Sequence, residues 1–410
     1  MQSKLIASLE KQLSFQEFKI SSLLEITKAI NSNLSVNKLL SILNFVLTQQ
    51  LNFTKIALLH KQDDWSTLLK YGIKGKLDAN ELSNTLDRFK TITAIESSPS
   101  PILSQFDFVV PVIHQQVAIA YLLLTDKNIQ NPVISEKGKN MHFIQTLANI
   151  IVVAIENQRM IKLQIKQARY KRELEVASEL QKLLFPSYLP SNRLVDIAAK
   201  YTTRHQVGGD YYDYIPLGED EFMLCIGDVS GKGIGAAMLM ANFQATLRTL
   251  IAMNKRNLQE LIHDLNRIVS QNANGEKFIT FFICHYEVDT RKLTYINAGH
   301  NHPFISNGKQ VVSLDKGTIG LGMFPELPFL SYGELILESN STLVMYTDGI
   351  IELENSKNEF FELDRLIKLV HLYYPLKMED LNNLIFSKLD EWRTNKNFVD
   401  DTAVFTCRFF

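Results

Sequence analysis

The sequence is poor in cysteine, has no strong excess of charge of either sign and contains no long apolar run. Its three cysteines are far apart, and their spacing matches neither a disulfide framework nor a zinc site. They are Cys225, Cys284 and Cys407. Because this pattern is typical of a reducing compartment, we predict a cytoplasmic protein.

Membranes and nucleic acids are not expected partners. Apolar stretches such as residues 149–155 are much shorter than the roughly 20 residues that a helix needs to cross a bilayer. The first residues also lack the unbroken apolar segment of a signal peptide. Lys and Arg total 43 against 44 Asp and Glu, whereas nucleic-acid-binding domains usually carry a basic excess.

A chain of 410 residues exceeds what a single core usually organises, so we expect two or three domains. The first of these, residues 18–155, has the element order of a sensory domain. Apolar residues at helical spacing predict two helices with a break near residues 31–35. Strands follow, among them a hairpin that turns at Gln115 and Gln116. A further helix is predicted to begin near Ser135.

This helix continues into a predicted linker, residues 156–190, which ends at Pro186 and Pro190. Apolar residues recur there at about coiled-coil spacing, although Lys171 and Arg172 interrupt the pattern. The residues of this apolar seam are Ile161, Ile165, Ala168, Val176, Leu180 and Leu183. Two interpretations remain open: a parallel coiled coil that makes the protein a homodimer, or a single solvated connector helix.

The rest of the chain, residues 191–410, alternates predicted strands with two pairs of helices. The pairs are predicted at about 234–253 with 257–272, and at about 362–373 with 378–393. Consecutive strands with short connections and paired helices favour an antiparallel α+β sandwich over a doubly wound parallel sheet.

The segment GDVSGKGIG, residues 227–235, resembles a phosphate-binding loop, but its spacing excludes the known nucleotide motifs. A P-loop would need glycine where Ile226 stands and Ser or Thr where Gly233 stands. The dinucleotide fingerprint lacks its third glycine, because Ala236 and Met238 occupy the required positions.

Aspartates at predicted strand ends indicate a metal site instead. Asp228 and Asp348 each follow an apolar strand, and Asp210 is expected just beyond another. Asp400 and Asp401 come directly before the last strand. Clustered carboxylates repel one another unless cations neutralise them, and oxygen ligands favour Mg²⁺ or Mn²⁺. Taken singly, each aspartate could instead belong to a turn or a helix cap.

Five motifs follow one another in this part of the chain. They are VGGDYYD (207–213), GDVSGKGIGAAMLM (227–240), INAGHNHP (296–303), YTDGIIE (346–352) and DDTAVF (400–405). In this order they resemble the SpoIIE/RsbU-type branch of the PPM (PP2C-like) serine/threonine phosphatases. The resemblance extends over about 175–410. It implies a PPM-type αββα sandwich and metal-dependent hydrolysis of phosphoserine or phosphothreonine.

The resemblance also assigns roles to individual residues. Asp228 would bridge two Mn²⁺ or Mg²⁺ ions, and the Val229 carbonyl would complete the second. Asp348 and Asp400 would bind the first ion. Asp210 would act from just outside the ions and orient water.

Other residues keep open roles. Asp401 would support the site from outside the direct ligands. Eukaryotic relatives have a histidine where this chain has Ser230, so the general acid is unidentified. Lys232 could contact phosphate or point to solvent. His300 and His302 could be metal ligands, although in the resembled family this turn is structural or substrate-facing.

Residues 18–155 resemble a GAF domain, an α/β sensor, in element order. Such a domain could bind a small ligand of unknown identity. Because no cysteine precedes Cys225, a covalently attached tetrapyrrole is excluded.

Together these features predict a bacterial signalling phosphatase in which the sensor acts through the linker on the catalytic domain. The expected substrate is phosphoserine on an anti-sigma-factor antagonist of the STAS type. Two alternatives are a non-catalytic adaptor built on the phosphatase fold and a phosphatase of small phosphoesters.

Overall fold

The computed structural model describes residues 2–61, 65–74, 77, 82, 85–95, 100–126, 140–253, 257–273, 275–394 and 398–410. It forms two compact units, Met1–Ala168 and Arg169–Phe410. The division falls within the predicted linker, whose bounds stay a prediction. In the ranges given above, none of the helices combines the length and the apolar character that crossing a membrane requires.

Three helices frame the N-terminal unit. They are α1 (Gln2–Asn31), α2 (Val36–Phe45, followed by a π-helical turn at Val46–Gln50) and α3 (Met141–Lys182). The predicted break between the first two is confirmed, because Asn33 adopts a φ of 51° and Ser35 has extended backbone before α2. The start predicted near Ser135 lies outside the described residues, and α3 is described from Met141.

A five-stranded antiparallel sheet completes this unit, in the order β2-β1-β5-β4-β3. Its strands are β1 (Lys55–Lys61), β2 (Trp65–Tyr71), β3 (Thr93–Ala94), β4 (Phe108–His114) and β5 (Val117–Thr125). The predicted hairpin is β4–β5. Gln115 and Gln116 turn it with φ values of 47° and 67°, as a two-residue turn between twisted strands requires. The resemblance to a GAF domain stays a prediction.

The C-terminal unit contains two sheets packed face to face. The first has the order β13-β10-β9-β8-β7, with β14 also paired to β10, and the second has the order β12-β11-β15-β16-β6. Pairing is antiparallel except between β10 and β13. The strands are β6 (Val195–Thr202), β7 (Tyr211–Pro216), β8 (Glu221–Val229), β9 (Ile279–Glu287), β10 (Lys292–Ala298), β11 (Phe304–Ser306), β12 (Val311–Ser313), β13 (Gly317–Thr318), β14 (Gly333–Ile336), β15 (Ser341–Tyr346) and β16 (Thr402–Phe409).

Helices cover both outer faces of this sandwich. Residues of α4 (Ile234–Ala252) and α5 (Leu258–Ala273) share a core with the first sheet. Residues of α7 (Leu363–Leu372) and α8 (Met378–Arg393) share another with the second sheet. A third core, including Phe282 and Phe405, lies between the sheets. The predicted four-layer α+β sandwich is therefore confirmed, and the single turn α6 (Asp348–Ile351) lies at its edge.

One strand next to the predicted site corrects the sequence analysis. Asp210 was expected just beyond a strand, but β6 ends at Thr202 and Asp210 directly precedes β7. Strand β7 was missed because the carboxylate of Asp213 interrupts its buried apolar positions. That carboxylate accepts hydrogen bonds from Nε and Nη2 of Arg248 on α4, both at 2.7 Å. The pair therefore ties the helix after the GDVSGKGIG segment to the strand after Asp210.

Candidate active site

Strand β8 delivers Asp228 and Val229 to one edge of the sandwich. The loop Gly208–Gly209 packs directly against them. A Cβ placed on Gly209 would lie 3.0 Å from the Val229 carbonyl oxygen and 3.4 Å from Oδ1 of Asp228. Glycine at this position therefore allows the backbone before Asp210 to approach both groups closely.

Strand β15 delivers Asp348 to the same edge, and Thr347 connects it to its neighbours. The Thr347 hydroxyl donates to Oδ2 of Asp210 at 2.8 Å and accepts the backbone N–H of Ala403 at 2.9 Å. A Cβ on Gly349 would lie 2.0 Å from the Asp401 carbonyl oxygen, so the turn after Asp348 also packs against the residues before β16. Thr347 was not among the predicted site residues.

The two aspartates before β16 have different partners. Asp401 accepts the backbone N–H of Arg204 at 2.8 Å and that of Gly209 at 2.7 Å. It therefore holds the loop that carries Asp210. Asp400 forms an ion pair with Lys232, with 2.5 Å between Nζ and Oδ2. Of the two alternatives for Lys232, the structure shows a side chain that turns towards the aspartates.

The carboxyl groups influence one another. Burial, together with the charges of Asp348, Asp400 and Asp401, raises the pKa of Asp228 to about 7. Burial also raises the pKa of Asp348 to about 6, with Glu352 and Asp400 adding to the effect. Desolvation followed by the charges of Asp228 and Asp401 raises the pKa of Asp210 well above its usual range. Ionising all of these groups together is therefore costly.

The donor chemistry fits a hard divalent cation. The charges of neighbouring carboxylates raise the pKa values of Asp228 and Asp348, so added positive charge would stabilise their ionised forms, and oxygen donors of this kind suit a hard cation. As the side chains stand, no three His, Cys, Asp or Glu residues of the described ranges are grouped as ligands of one ion. Asp210, Asp400 and Asp401 point instead to the protein partners given above.

Two further residues at this edge were not predicted. Gln181, near the end of α3, pairs with the peptide of Gly208: its Nε2 donates to the carbonyl oxygen at 2.7 Å, and its Oε1 accepts the N–H at 3.1 Å. The hydroxyl of Tyr201 is buried and lacks a hydrogen-bond partner within the described residues. Its pKa is raised by burial and by the charges of Asp210 and Asp401. Motif spacing could not reveal either residue, because both lie outside the motifs.

Ser230 and the two histidines, His300 and His302, have defined surroundings. The Ser230 hydroxyl accepts the backbone N–H of Phe278 at 2.8 Å. Both ring nitrogens of His300 are hydrogen-bonded, Nδ1 to the Thr280 hydroxyl at 3.0 Å and Nε2 to the Tyr346 carbonyl at 3.1 Å. His300 therefore has no free nitrogen for a metal, which supports the structural alternative. His302 is exposed.

Comparisons with known proteins find similar sequences and a similar fold. Residues 218–410 match the family model described as Stage II sporulation protein E (SpoIIE). The chain is 29% identical over 238 residues to the phosphoserine phosphatase RsbU of Bacillus subtilis, covering 57% of this chain and 70% of RsbU. It is 29% identical over 276 residues to the protein IcfG of Synechocystis, covering 60% of this chain and 43% of IcfG.

Among solved structures, the SiaA PP2C domain of Pseudomonas aeruginosa is similar with a TM-score of 0.54 at 18% identity. The alignment covers 60% of this chain and 99% of that domain. At this level of identity the similarity shows a shared fold.

In EDTA, we expect the unfolding temperature of the C-terminal unit to fall as the pH rises from about 5 to about 8. The pKa values of Asp228 and Asp348, about 7 and about 6, exceed the ordinary value of 3.8, so the folded state binds protons more tightly than the unfolded state. The resulting stability is complete below about pH 4 and is lost as the pH passes these folded values. Calorimetric scans across this pH range measure how steeply the unfolding temperature falls with pH.

Asp228→Asn removes one ionisation, so this variant should lose less stability over the same range. The control is Asp264→Asn, on the outer helix α5, where the side chain pairs with Arg267. It should keep the slope of the unaltered chain. If the unfolding temperatures of Asp228→Asn and the unaltered chain fall equally steeply with pH, the repulsion between the aspartates is contradicted.

Proposed function

We propose that residues 218–410, which match the SpoIIE family model, form a phosphatase domain of the PPM (PP2C-like) serine/threonine type. We propose further that the aspartates at this edge hold divalent ions for the hydrolysis of a phosphorylated protein. The observation that carries the proposal is the crowding of five carboxylates that act on one another's pKa values at this edge. They are Asp210, Asp228, Asp348, Asp400 and Asp401. Crowded carboxylates of this kind are typical of sites that bind cations.

The proposed ligands follow the family resemblance. Asp228, the Val229 carbonyl, Asp348 and Asp400 would hold the two ions, with Asp228 shared between them, Asp348 and Asp400 serving the first ion and the Val229 carbonyl serving the second. Mn²⁺ or Mg²⁺ suits these oxygen donors equally. When bound, such ions supply an activated water and neutralise charge on the phosphoryl oxygens.

The remaining residues position these groups. Asp210, held by the Thr347 hydroxyl, faces Asp228 and orients water for attack. Asp401 holds the Gly209 peptide in place from outside the direct ligands. The Lys232 ammonium already reaches the aspartates and can bind a phosphoryl oxygen of the substrate.

Asp228→Asn and Asp348→Asn should each lower Mn²⁺-dependent phosphatase activity by roughly a thousandfold or more, because each removes a ligand charge that no neighbour replaces. The measurement is phosphate release from a phosphoserine protein and from p-nitrophenyl phosphate, with Mn²⁺ and with EDTA. Asp264→Asn, on the outer helix, is the matched control and should keep full activity.

Retained activity in both site variants would contradict the metal assignment. If the unaltered chain releases no phosphate from any substrate while binding a partner protein, the non-catalytic adaptor is correct. Release from p-nitrophenyl phosphate and small phosphoesters, without release from phosphoproteins, would favour the small-phosphoester alternative.

For the substrate we propose phosphoserine on a STAS-type anti-sigma-factor antagonist in the cytoplasm. The support is the similarity to RsbU, which is named as a phosphoserine phosphatase. A panel of the organism's phosphorylated STAS proteins tests this assignment. Faster dephosphorylation of unrelated phosphoproteins would contradict it.

We further propose that the N-terminal unit, as a GAF-like sensor of a small ligand, controls the site through α3. This helix starts in the N-terminal unit, and its residue Gln181 holds the Gly208 peptide. The next residue, Gly209, donates to Asp401 and packs against Asp228. A shift of α3 would therefore move the loop that carries Asp210.

Gln181→Leu removes both hydrogen bonds to Gly208 at similar side-chain size. We expect kcat to fall about ten- to a hundredfold, as for other residues that orient metal ligands, and the Mn²⁺ concentration for half-maximal activity to rise. Gln167→Leu, on an exposed part of the same helix, should change neither value. Unchanged kinetics in Gln181→Leu would contradict this connection.

The apolar seam of the linker supports the coiled-coil alternative over the solvated helix. Ile161, Ile165, Val176 and Leu180 are between 42% and 60% exposed in a single chain, and pairing with a second copy would bury them. We therefore propose a homodimer.

The double variant Ile165→Asp, Leu180→Asp should convert the dimer to a monomer, because it places charges in the seam. Sedimentation equilibrium measures the mass. Gln167→Asp, outside the seam on the same helix, is the control and should remain dimeric. A monomeric unaltered chain at micromolar concentration would show that the helix is a solvated connector.

A further inference from the structure

The turn after β10 is fixed by a buried amide. Asn297 accepts the backbone N–H of His300 at 2.7 Å through Oδ1 and donates from Nδ2 to the His300 carbonyl at 3.0 Å. Both residues are 3% exposed. The backbone of His300 therefore has a defined position, and its side chain can connect other elements.

The imidazole of His300 connects the two sheets. Because the Tyr346 carbonyl can only accept, Nε2 carries the proton and donates to it at 3.1 Å. Nδ1 then accepts the hydroxyl proton of Thr280 at 3.0 Å. Burial lowers the pKa of His300 to about 4, which keeps the ring neutral at physiological pH. A neutral ring with this tautomer satisfies both partners.

Each end of this connection lies beside a proposed metal ligand. Thr280 on β9 is the direct cross-strand partner of Asp228 on β8. In an antiparallel pair, directly opposite residues project from the same face of the sheet. Tyr346 is the last residue of β15, and Asp348 follows two residues later.

We propose that His300 is a positioning residue whose side chain sets the separation between Asp228 and Asp348. Apolar contacts between packed sheets have no directional preference, whereas a metal site requires its ligands to be held within about 0.5 Å. Two hydrogen bonds from one rigid ring supply a fixed distance between the sheets at the edge where the aspartates lie. This inference rests on the proposed function.

The test measures the Mn²⁺ dissociation constant of the full chain by titration calorimetry, alongside its unfolding temperature. His300→Leu should weaken Mn²⁺ binding about ten- to a hundredfold. Thr280→Val, which keeps the histidine, should weaken binding several-fold. His300→Gln should stay within a few-fold of the unaltered chain, because its amide offers one acceptor and one donor.

Thr406→Val is the matched control. The Thr406 hydroxyl is buried and bonds to Asn382 and to the Ala198 carbonyl, between β16 and α8. Its loss should lower the unfolding temperature without changing Mn²⁺ affinity. If Thr280→Val and His300→Leu behave in the same way as this control, His300 is merely structural and the inference is wrong.

Nitrogen-15 spectra of the unaltered chain test the same inference without metal or variants. The His300 ring should show a neutral form with the proton on Nε2 from about pH 8 to about pH 5. The other tautomer, or a charged ring in this range, would contradict the connection between the sheets. If the unaltered chain binds Mn²⁺ and hydrolyses substrate, and the variants bind Mn²⁺ equally well, this inference alone is wrong. If the unaltered chain does not bind Mn²⁺, the proposed function is wrong as well.

Discussion

The structure of the C-terminal unit is constrained by the mutual repulsion of buried and partly buried carboxylates. Five aspartates from four parts of the chain come together at one edge of the sandwich, where the pKa of Asp228 is raised to about 7. The fold holds them there with directional contacts: the Thr347 hydroxyl on Asp210, two backbone N–H groups on Asp401 and the Lys232 ammonium on Asp400. Holding the ionised carboxylates in this arrangement lowers the stability of the fold unless positive charge is present, as is typical of functional sites.

Much of this edge could be predicted from the sequence, because strands end where apolar runs meet aspartate. The apolar patterns of β8 and β15 indicated these strands; Asp228 lies at the end of β8, Asp348 follows β15, and Asp400 precedes β16 as expected. The antiparallel sandwich also followed from the short strand connections and the paired helices, and its four layers from the family resemblance.

The missed features share a physical cause: they depend on contacts between residues far apart in the chain. Strand β7 was hidden because Asp213 is buried, and its pairing with Arg248, 35 residues away, helps to make that burial favourable. Gln181 and Tyr201 carry no local signature, since their surroundings are formed by the GGD loop and by Asp401. His300 attracted notice as a possible ligand, but its two partners on different sheets assign both nitrogens.

In the C-terminal unit, the sandwich exposes strand ends at one edge. Crowded aspartates at this edge favour a bound cation, and other side chains hold the strand ends in place. The pKa values of Asp210, Asp228 and Asp348 are all raised at this edge, and the residues that hold the surrounding loops come from both sheets and from α3. Function in this domain therefore depends on the relative position of elements that the motifs alone do not connect.

The central claim is tested most directly by calorimetric titration of the chain with Mn²⁺ at about pH 6.5 in two buffers of different ionisation enthalpy. The account predicts saturable binding of two ions per chain with release of protons, because Asp228 and Asp348 are partly protonated at this pH before the ions bind. It also predicts that the Asp228→Asn variant binds far more weakly and releases fewer protons. Absence of saturable binding, or binding without proton release, would contradict the account.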